Sequence, residues 1–271
     1  MSRVRATSRT LVVLGDPVAH SLSPVMHNAA IAALGLDAVY VALPATRDAV
    51  PVILETFLSL DIAGNLTVPL KIIGAHAIHD LTPGAQALGA VNTFWPQDGR
   101  LAGDNTDVRG LLDAIEAVDA EPPWLLAGTG GAARAAAVAA AERGVAVLVR
   151  SRDPARAATF VEWARTLGVD AREDDGTRAE TAINATPLGL LPEDELPFIA
   201  ERLDGTHAVV DCVYAPGETA WVRACRARGM RATDGRTMLV GQGALAFERF
   251  FPGIDAPREV MRAAVDRALR S

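Results

Sequence analysis

One lysine stands among 26 basic residues, and it closes the segment Asn65-Leu66-Thr67-Val68-Pro69-Leu70-Lys71. Arginine holds its proton under nearly all conditions, whereas burial or a neighbouring cation moves a lysine ammonium towards neutrality. Of the basic side chains, Lys71 is therefore the one suited to give and take a proton. Other polar residues sit where a structural role is hard to supply for all of them: Ser21 and Ser23 after a Gly15-Asp16-Pro17 turn, Thr67 one turn before Lys71, Asn92 after Gly89-Ala90-Val91, and Asp107 closing Gly103-Asp104-Asn105-Thr106-Asp107. Ser23 has a plain alternative as a helix N-cap with Pro24 at the first helical position, and Asp107 one as a helix-start residue.

A second group binds rather than reacts. Trp124-Leu125-Leu126-Ala127 runs into Gly128-Thr129-Gly130-Gly131-Ala132-Ala133, which opens an alanine-rich helix. Strand, GxGxxA and helix together form a dinucleotide fingerprint: Gly128 makes the tight turn, Gly130 lets the pyrophosphate approach, and Ala133 lets helix and strand pack closely. The helix N-terminus then offers free N–H groups to the phosphates. About twenty residues on, where an acidic residue would take the ribose 2′-OH of NAD, the chain has Arg150-Ser151-Arg152-Asp153-Pro154-Ala155-Arg156. Ser151, Arg152 and Arg156 suit the 2′-phosphate of NADP, and Asp153 is the residue that allows some NAD use.

Short β-rich runs must alternate with helices to position these groups, which predicts an α/β fold with parallel sheets. In a first unit, strands are expected over 11–15, 39–43, 62–68 and 90–94, helices over 24–34, 48–60 and 71–79, and a hairpin around Gln97-Asp98-Gly99. A second unit is expected to hold helices over 107–118, 132–142, 154–167 and 219–228, with strands over 124–127, 145–150, 181–184 and 208–213. The division is 1–106, 107–236 and a pair of helices over 237–271 returning to the first unit, with a cleft between the units. The stretch 170–180, with seven charged residues in eleven, reads as a solvated loop.

Composition narrows the partners. A net charge of −7 without a dense basic tract argues against nucleic acid. Arg3, Arg5 and Arg9 precede only the short apolar run Leu11-Val12-Val13-Leu14, too brief for a signal peptide or a membrane span, so a cytoplasmic protein is expected. Cys212 and Cys225 lack a second pair for zinc and are expected to be reduced, buried packing residues; no metal is expected.

Taken in order, the segments resemble the shikimate dehydrogenase family over nearly the whole chain. Gly15 to Pro24 with His27-Asn28 is similar to its opening motif, and Asn65–Lys71, Gly89–Thr93 and Asn105–Gly110 to its lysine, asparagine and aspartate motifs. Asn184–Gly189, Asp211–Pro216 and Met238–Gly243 complete the series. The resemblance implies a substrate-binding α/β domain followed by a Rossmann-type NADP domain, and interconversion of shikimate and 3-dehydroshikimate. It also implies Lys71 and Asp107 as the catalytic pair. Ser21, Ser23, Thr67, Asn92, Asp107, Tyr214 and Gln242 would hold the substrate, and Thr186, Val213 and Gly235 would join Gly128–Ala132 at the cofactor. Three departures stand out: Thr129 where the family has alanine, Ser151-Arg152-Asp153 in place of Asn-Arg-Thr, and Pro83 where an acidic residue is common. A quinate-preferring relative that uses both cofactors remains an alternative, as does a silent dinucleotide-binding sensor, against which the retention of Lys71 and Asp107 argues.

Overall fold

The computed structural model describes residues 4–191 and 193–270, so Arg3 lies outside the described residues. The chain divides into two compact units: residues up to Thr106 with Val240–Ala268, and Asp107–Leu239 with the residues from Leu269 on.

In the first unit, β1 (Arg9–Gly15), α1 (Ser23–Ala33) and β2 (Ala38–Pro44) form a crossover, and α2 (Val50–Ser59) leads to β3 (Ala63–Leu66). There follow α3 (Lys71–Ala77), the short β4 (Asp80–Leu81), α4 (Pro83–Leu88), and the hairpin β5 (Thr93–Gln97) and β6 (Arg100–Asp104). The sheet runs β2-β1-β3-β5-β6-β4, parallel from β2 to β3 and antiparallel where β5 meets β3 and β6. The continuous apolar run of β1 is buried from Leu11 to Gly15, as expected of a strand covered on both faces. Gln97 pairs with Arg100, so the hairpin loop is Asp98-Gly99 alone, and both residues have positive φ. That is the backbone a tight two-residue turn demands, and Asp-Gly is among the few pairs that adopt it readily.

The second unit opens with α5 (Asp107–Glu116) and continues β7 (Trp124–Ala127), α6 (Gly131–Arg143), β8 (Val147–Arg150), α7 (Pro154–Thr166) and β9 (Ala171–Glu173). Then come β10 (Thr181–Asn184), β11 (Ala208–Asp211), α8 (Ala220–Ala227) and β12 (Arg231–Thr233). Its sheet is parallel throughout in the order β12-β11-β10-β7-β8-β9. Counted from the first strand of the unit, this is the 3-2-1-4-5-6 order of dinucleotide-binding sheets. The chain ends in α9 (Gly235–Phe250) and α10 (Arg258–Ala268), the latter packed on α1. Among the described residues no helix is long and apolar enough to cross a membrane.

Three sequence expectations change. The strand expected over 90–94 starts only at Thr93, and α4 was not anticipated. Thr82 caps α4 by accepting from the Ala85 N–H, with Pro83 in its first turn, which gives the proline a structural reason: it has no N–H to leave unpaired there. The solvated loop expected over 170–180 holds for residues 175–178, which are exposed, but not throughout. Its first residues form β9 on the edge of the sheet, and the Asp174 side chain is only 8% exposed. Arg202 grips that carboxylate at 2.6 and 3.1 Å, with Arg150 at 3.5 Å. A charged residue resists burial unless it is partnered, and a fork of guanidinium donors lets a carboxylate leave solvent. Cys225 is buried and Cys212 only partly so; both are free thiols.

Candidate active site

In the first unit the polar candidates gather where β1 and β3 end. The Thr67 N–H donates to the Leu14 carbonyl at 2.8 Å, and the Asp16 N–H to Val68 at 3.3 Å, so the turns after the two strands lie side by side. Lys71, partly buried, is the first residue of α3, and its carbonyl accepts from the Val91 N–H at 2.9 Å. That bond brings the Asn92 segment to the start of the lysine helix.

Asn92 is 2% exposed, and both ends of its amide make hydrogen bonds. Its Oδ1 accepts from the Thr106 N–H at 2.8 Å and the Thr93 hydroxyl at 2.9 Å, while its Nδ2 donates to Thr106 Oγ1 at 3.0 Å and Gln242 Oε1 at 3.4 Å. Gln242, 150 residues away in sequence, thereby joins the cluster. Ser21 is partly buried, and its Oγ accepts from the Ser23 N–H at 3.3 Å. The N-cap reading of Ser23 is not borne out: Leu22 occupies the cap position of α1 without a side-chain cap bond, and Ser23 is already inside the helix. Its side chain is buried in that position.

Asp107 begins α5 in the second unit and is 4% exposed; its neighbour Thr106 belongs to the first unit. Tyr214 lies in the second unit, partly buried.

The second unit contains a cavity of about 810 Å³ lined by Gly128, Thr129 and Gly130, by Ser151, Arg152 and Arg156, and by Thr186. The glycine loop, the arginine segment and the turn after β10 thus converge at the carboxyl end of the sheet, where such sheets bind ligands. Gly128 has φ +108°, and a Cβ there would sit 2.8 Å from the Ala185 carbonyl oxygen, so the loop needs glycine twice over. Gly131, Ala132, Val213 and Gly235, also expected at the cofactor, do not line this cavity. Gly235 has a packing reason, since a Cβ on it would overlap the Cys212 carbonyl. Asp153 lines the cavity, and its carboxylate caps α7, accepting from the Ala155 N–H at 3.0 Å and the Arg156 N–H at 3.4 Å. Sequence reading missed the far wall: Leu188, Leu190, Leu191, Asp194 and Pro197. Its apolar pattern has no period, so nothing local marks it. Among the described residues no group of three or more His, Cys, Asp or Glu side chains is placed to hold a metal ion.

Asn184 shapes the Thr186 wall. Its Oδ1 accepts from the Thr186 N–H and hydroxyl at 3.0 and 2.6 Å, and its Nδ2 donates to Asp211 at 2.8 Å. Asp211 also accepts from the Val213 N–H at 3.1 Å and the Thr219 hydroxyl at 2.8 Å. Burial pushes the Asp211 carboxyl up to about 6, against those three donors. A carboxyl raised in the folded state binds its proton more tightly there than when unfolded. Its stabilising contribution is therefore complete below about pH 4 and is lost as pH rises through about 6. Denaturant titrations of the natural chain and of Asp211→Asn should show the difference between them changing with a slope of up to about 1.4 kcal/mol per pH unit in that window, against the natural chain as pH rises. A constant difference would mean that Asp211 titrates normally.

Two family models match parts of the chain, and relatives match nearly all of it. Residues 13–94 match the model of the shikimate dehydrogenase substrate binding domain, and residues 235–265 that of the shikimate 5′-dehydrogenase C-terminal domain. The shikimate dehydrogenase (NADP(+)) of Thermus thermophilus is 41% identical over 95% of this chain and 97% of its own length. That of Halorubrum lacusprofundi is 42% identical over 93% of this chain and 96% of its own. Among solved structures, a shikimate 5-dehydrogenase of Thermus thermophilus in complex with NADP(H) and shikimate superposes with a TM-score of 0.88 at 39% identity, covering 96% of this chain and 99% of that one.

Proposed function

The chain belongs to the shikimate dehydrogenase family, and on that premise we propose that it catalyses the NADP-dependent, reversible reduction of 3-dehydroshikimate to shikimate, a step towards aromatic amino acids. The observation that carries this is a likeness running end to end, at 41% identity over 95% of the chain, to a protein of that activity. The cavity of the second unit supports it, since its glycine loop and the guanidinium groups of Arg150, Arg152 and Arg156 suit a dinucleotide carrying an extra phosphate. The first unit, with the C-terminal helices, is the substrate domain in this reading, and the second is the NADP domain.

NADP supplies the hydride chemistry. The protein's residues handle the proton and the binding. As hydride leaves the carbinol carbon of shikimate, Lys71 takes the hydroxyl proton, and it returns that proton in the reducing direction. Asp107 orients the lysine amine and a substrate hydroxyl. Ser21, Ser23 and Thr67 offer hydroxyl donors to the substrate carboxylate, which carries its own negative charge, while Asn92, Gln242 and Tyr214 meet the ring hydroxyls. Gly128 to Gly130 would receive the pyrophosphate, Arg152 and Arg156 the 2′-phosphate with Ser151 beside them, and Thr186 the nicotinamide end. The test is a nicotinamide absorbance assay with shikimate and quinate, each against NADP and NAD. Turnover of shikimate with NADP is expected to be the most efficient of the four; quinate ahead of shikimate would overturn the substrate assignment.

Asp153 predicts how strict the cofactor choice is. Its negative charge stands beside the phosphate-binding arginines, but its oxygens are engaged by the first turn of α7. Repulsion is therefore blunted and not abolished. NADP should be preferred with measurable NAD use, and Asp153→Thr, which keeps a capping oxygen without the charge, should raise the NADP-to-NAD efficiency ratio by about 3- to 10-fold. An unchanged ratio would show that the charge plays no part.

A further inference from the structure

We infer that Tyr40, which belongs to none of the motifs above, is a positioning residue of the substrate site: its hydroxyl holds Asn65 on β3 and, through Asn65, sets Asn92. The inference rests on the proposed role of Asn92 as a substrate ligand.

Tyr40 is 1% exposed. Its hydroxyl donates to Asn65 Oδ1 at 2.6 Å. Asn65 Nδ2 then donates to the Asn92 carbonyl at 2.9 Å and to Thr93 Oγ1 at 3.0 Å, and the Thr93 hydroxyl donates to Asn92 Oδ1 at 2.9 Å. Asn92 is thus held at its backbone and its side chain by one chain of bonds that begins at the phenol. Asn65, Asn92 and Thr93 are 6, 2 and 0% exposed, so water cannot replace a bond that is removed. Such a buried network stands or falls together.

The phenol is fixed from every side. Asn28 brackets the Tyr40 backbone, its Nδ2 donating to the Tyr40 carbonyl at 2.8 Å and its Oδ1 accepting from the Tyr40 N–H at 2.9 Å. These satisfy backbone groups that β2, on the sheet edge, leaves unpaired on that side. The ring stacks on His27 with centroids 4.3 Å apart and planes 8° from parallel, and Phe250 closes a flank at 6.5 Å. Neither His27 nitrogen has a hydrogen-bond partner among the described residues. Burial holds the His27 pKa down at about 3, so the imidazole is a neutral plate against which the phenol is pressed. A phenylalanine at position 40 would satisfy all of this packing. Only the link to Asn65 requires the hydroxyl.

Tyr40→Phe, Thr93→Val and the double variant of the full chain, assayed with shikimate and NADP, test the inference. One lost hydrogen bond of ordinary strength should raise the KM for shikimate by about 5- to 10-fold in Tyr40→Phe, with the KM for NADP and kcat within about 2-fold of the natural enzyme. The double variant should lose less than the product of the two single losses, because both substitutions break the chain of bonds through Asn65 to Asn92. Thr93→Val, which breaks the same network further along, should give the same selective rise and stands in if Tyr40→Phe does not fold. An unchanged KM for shikimate, an equal rise for both substrates, or losses that multiply would each overturn the positioning role. Absence of shikimate turnover in the natural enzyme would instead remove the proposed function, so the two failures are distinguishable.

Discussion

Lys71→Ala should lower kcat for shikimate oxidation by about 10²- to 10⁴-fold, the range that a positioned acid–base group contributes, with the KM for shikimate changing by much less. The reason begins with side-chain chemistry. An alkoxide develops as hydride departs, and only a group able to accept a proton at the working pH can discharge it. Lys71→Arg is the sharper variant, since it keeps the positive charge but a guanidinium holds its proton. It should remain close to Lys71→Ala in kcat. Near-normal turnover with arginine, measured by steady-state kinetics beside the alanine variant, would reassign Lys71 as an electrostatic anchor. A loss mainly in KM would do the same.

Gly128→Ala should abolish useful NADP binding while leaving the first unit intact. Two costs coincide at this position. At φ +108° an L side chain is strained, by about 1–3 kcal/mol, whatever the space around it. The added Cβ would also stand 2.8 Å from the Ala185 carbonyl oxygen and 3.2 Å from Thr186 Cγ2, and the first of these is backbone that cannot swing away. Relief requires the glycine loop to part from the turn after β10, and both line the same cavity. Cofactor titration by protein fluorescence should show NADP affinity reduced by at least about 10-fold, with a lowered Tm. NADP binding at natural affinity would mean that the loop relaxes without disturbing the pocket. Gly130 offers the contrast, because nothing lies within 4 Å of the place a methyl group would take there and its φ is not in the left-handed region.

Much of this protein was legible in its residues. Strand, GTGGAA and helix fall at β7 and α6, and Asp98-Gly99 makes the hairpin turn. These signals are local: a backbone conformation or a period of 2 or 3.6 is written in adjacent residues and survives in any fold that uses it. Lys71, as the lone lysine at the start of α3, belongs to the same kind of information. Other features were settled by partners far away along the chain. Ser23 looked like a helix cap and lies inside α1; Asp174 looked solvated and is gripped by Arg202, 28 residues on; Gln242 reaches Asn92 across 150 residues. A side chain's type and spacing say which bonds it is able to make, whereas the partner that it finds depends on which strand ends the sheet order sets side by side. Tertiary structure decides that choice because an unpaired buried polar group costs more than its paired form returns, so each one is placed by the whole network around it.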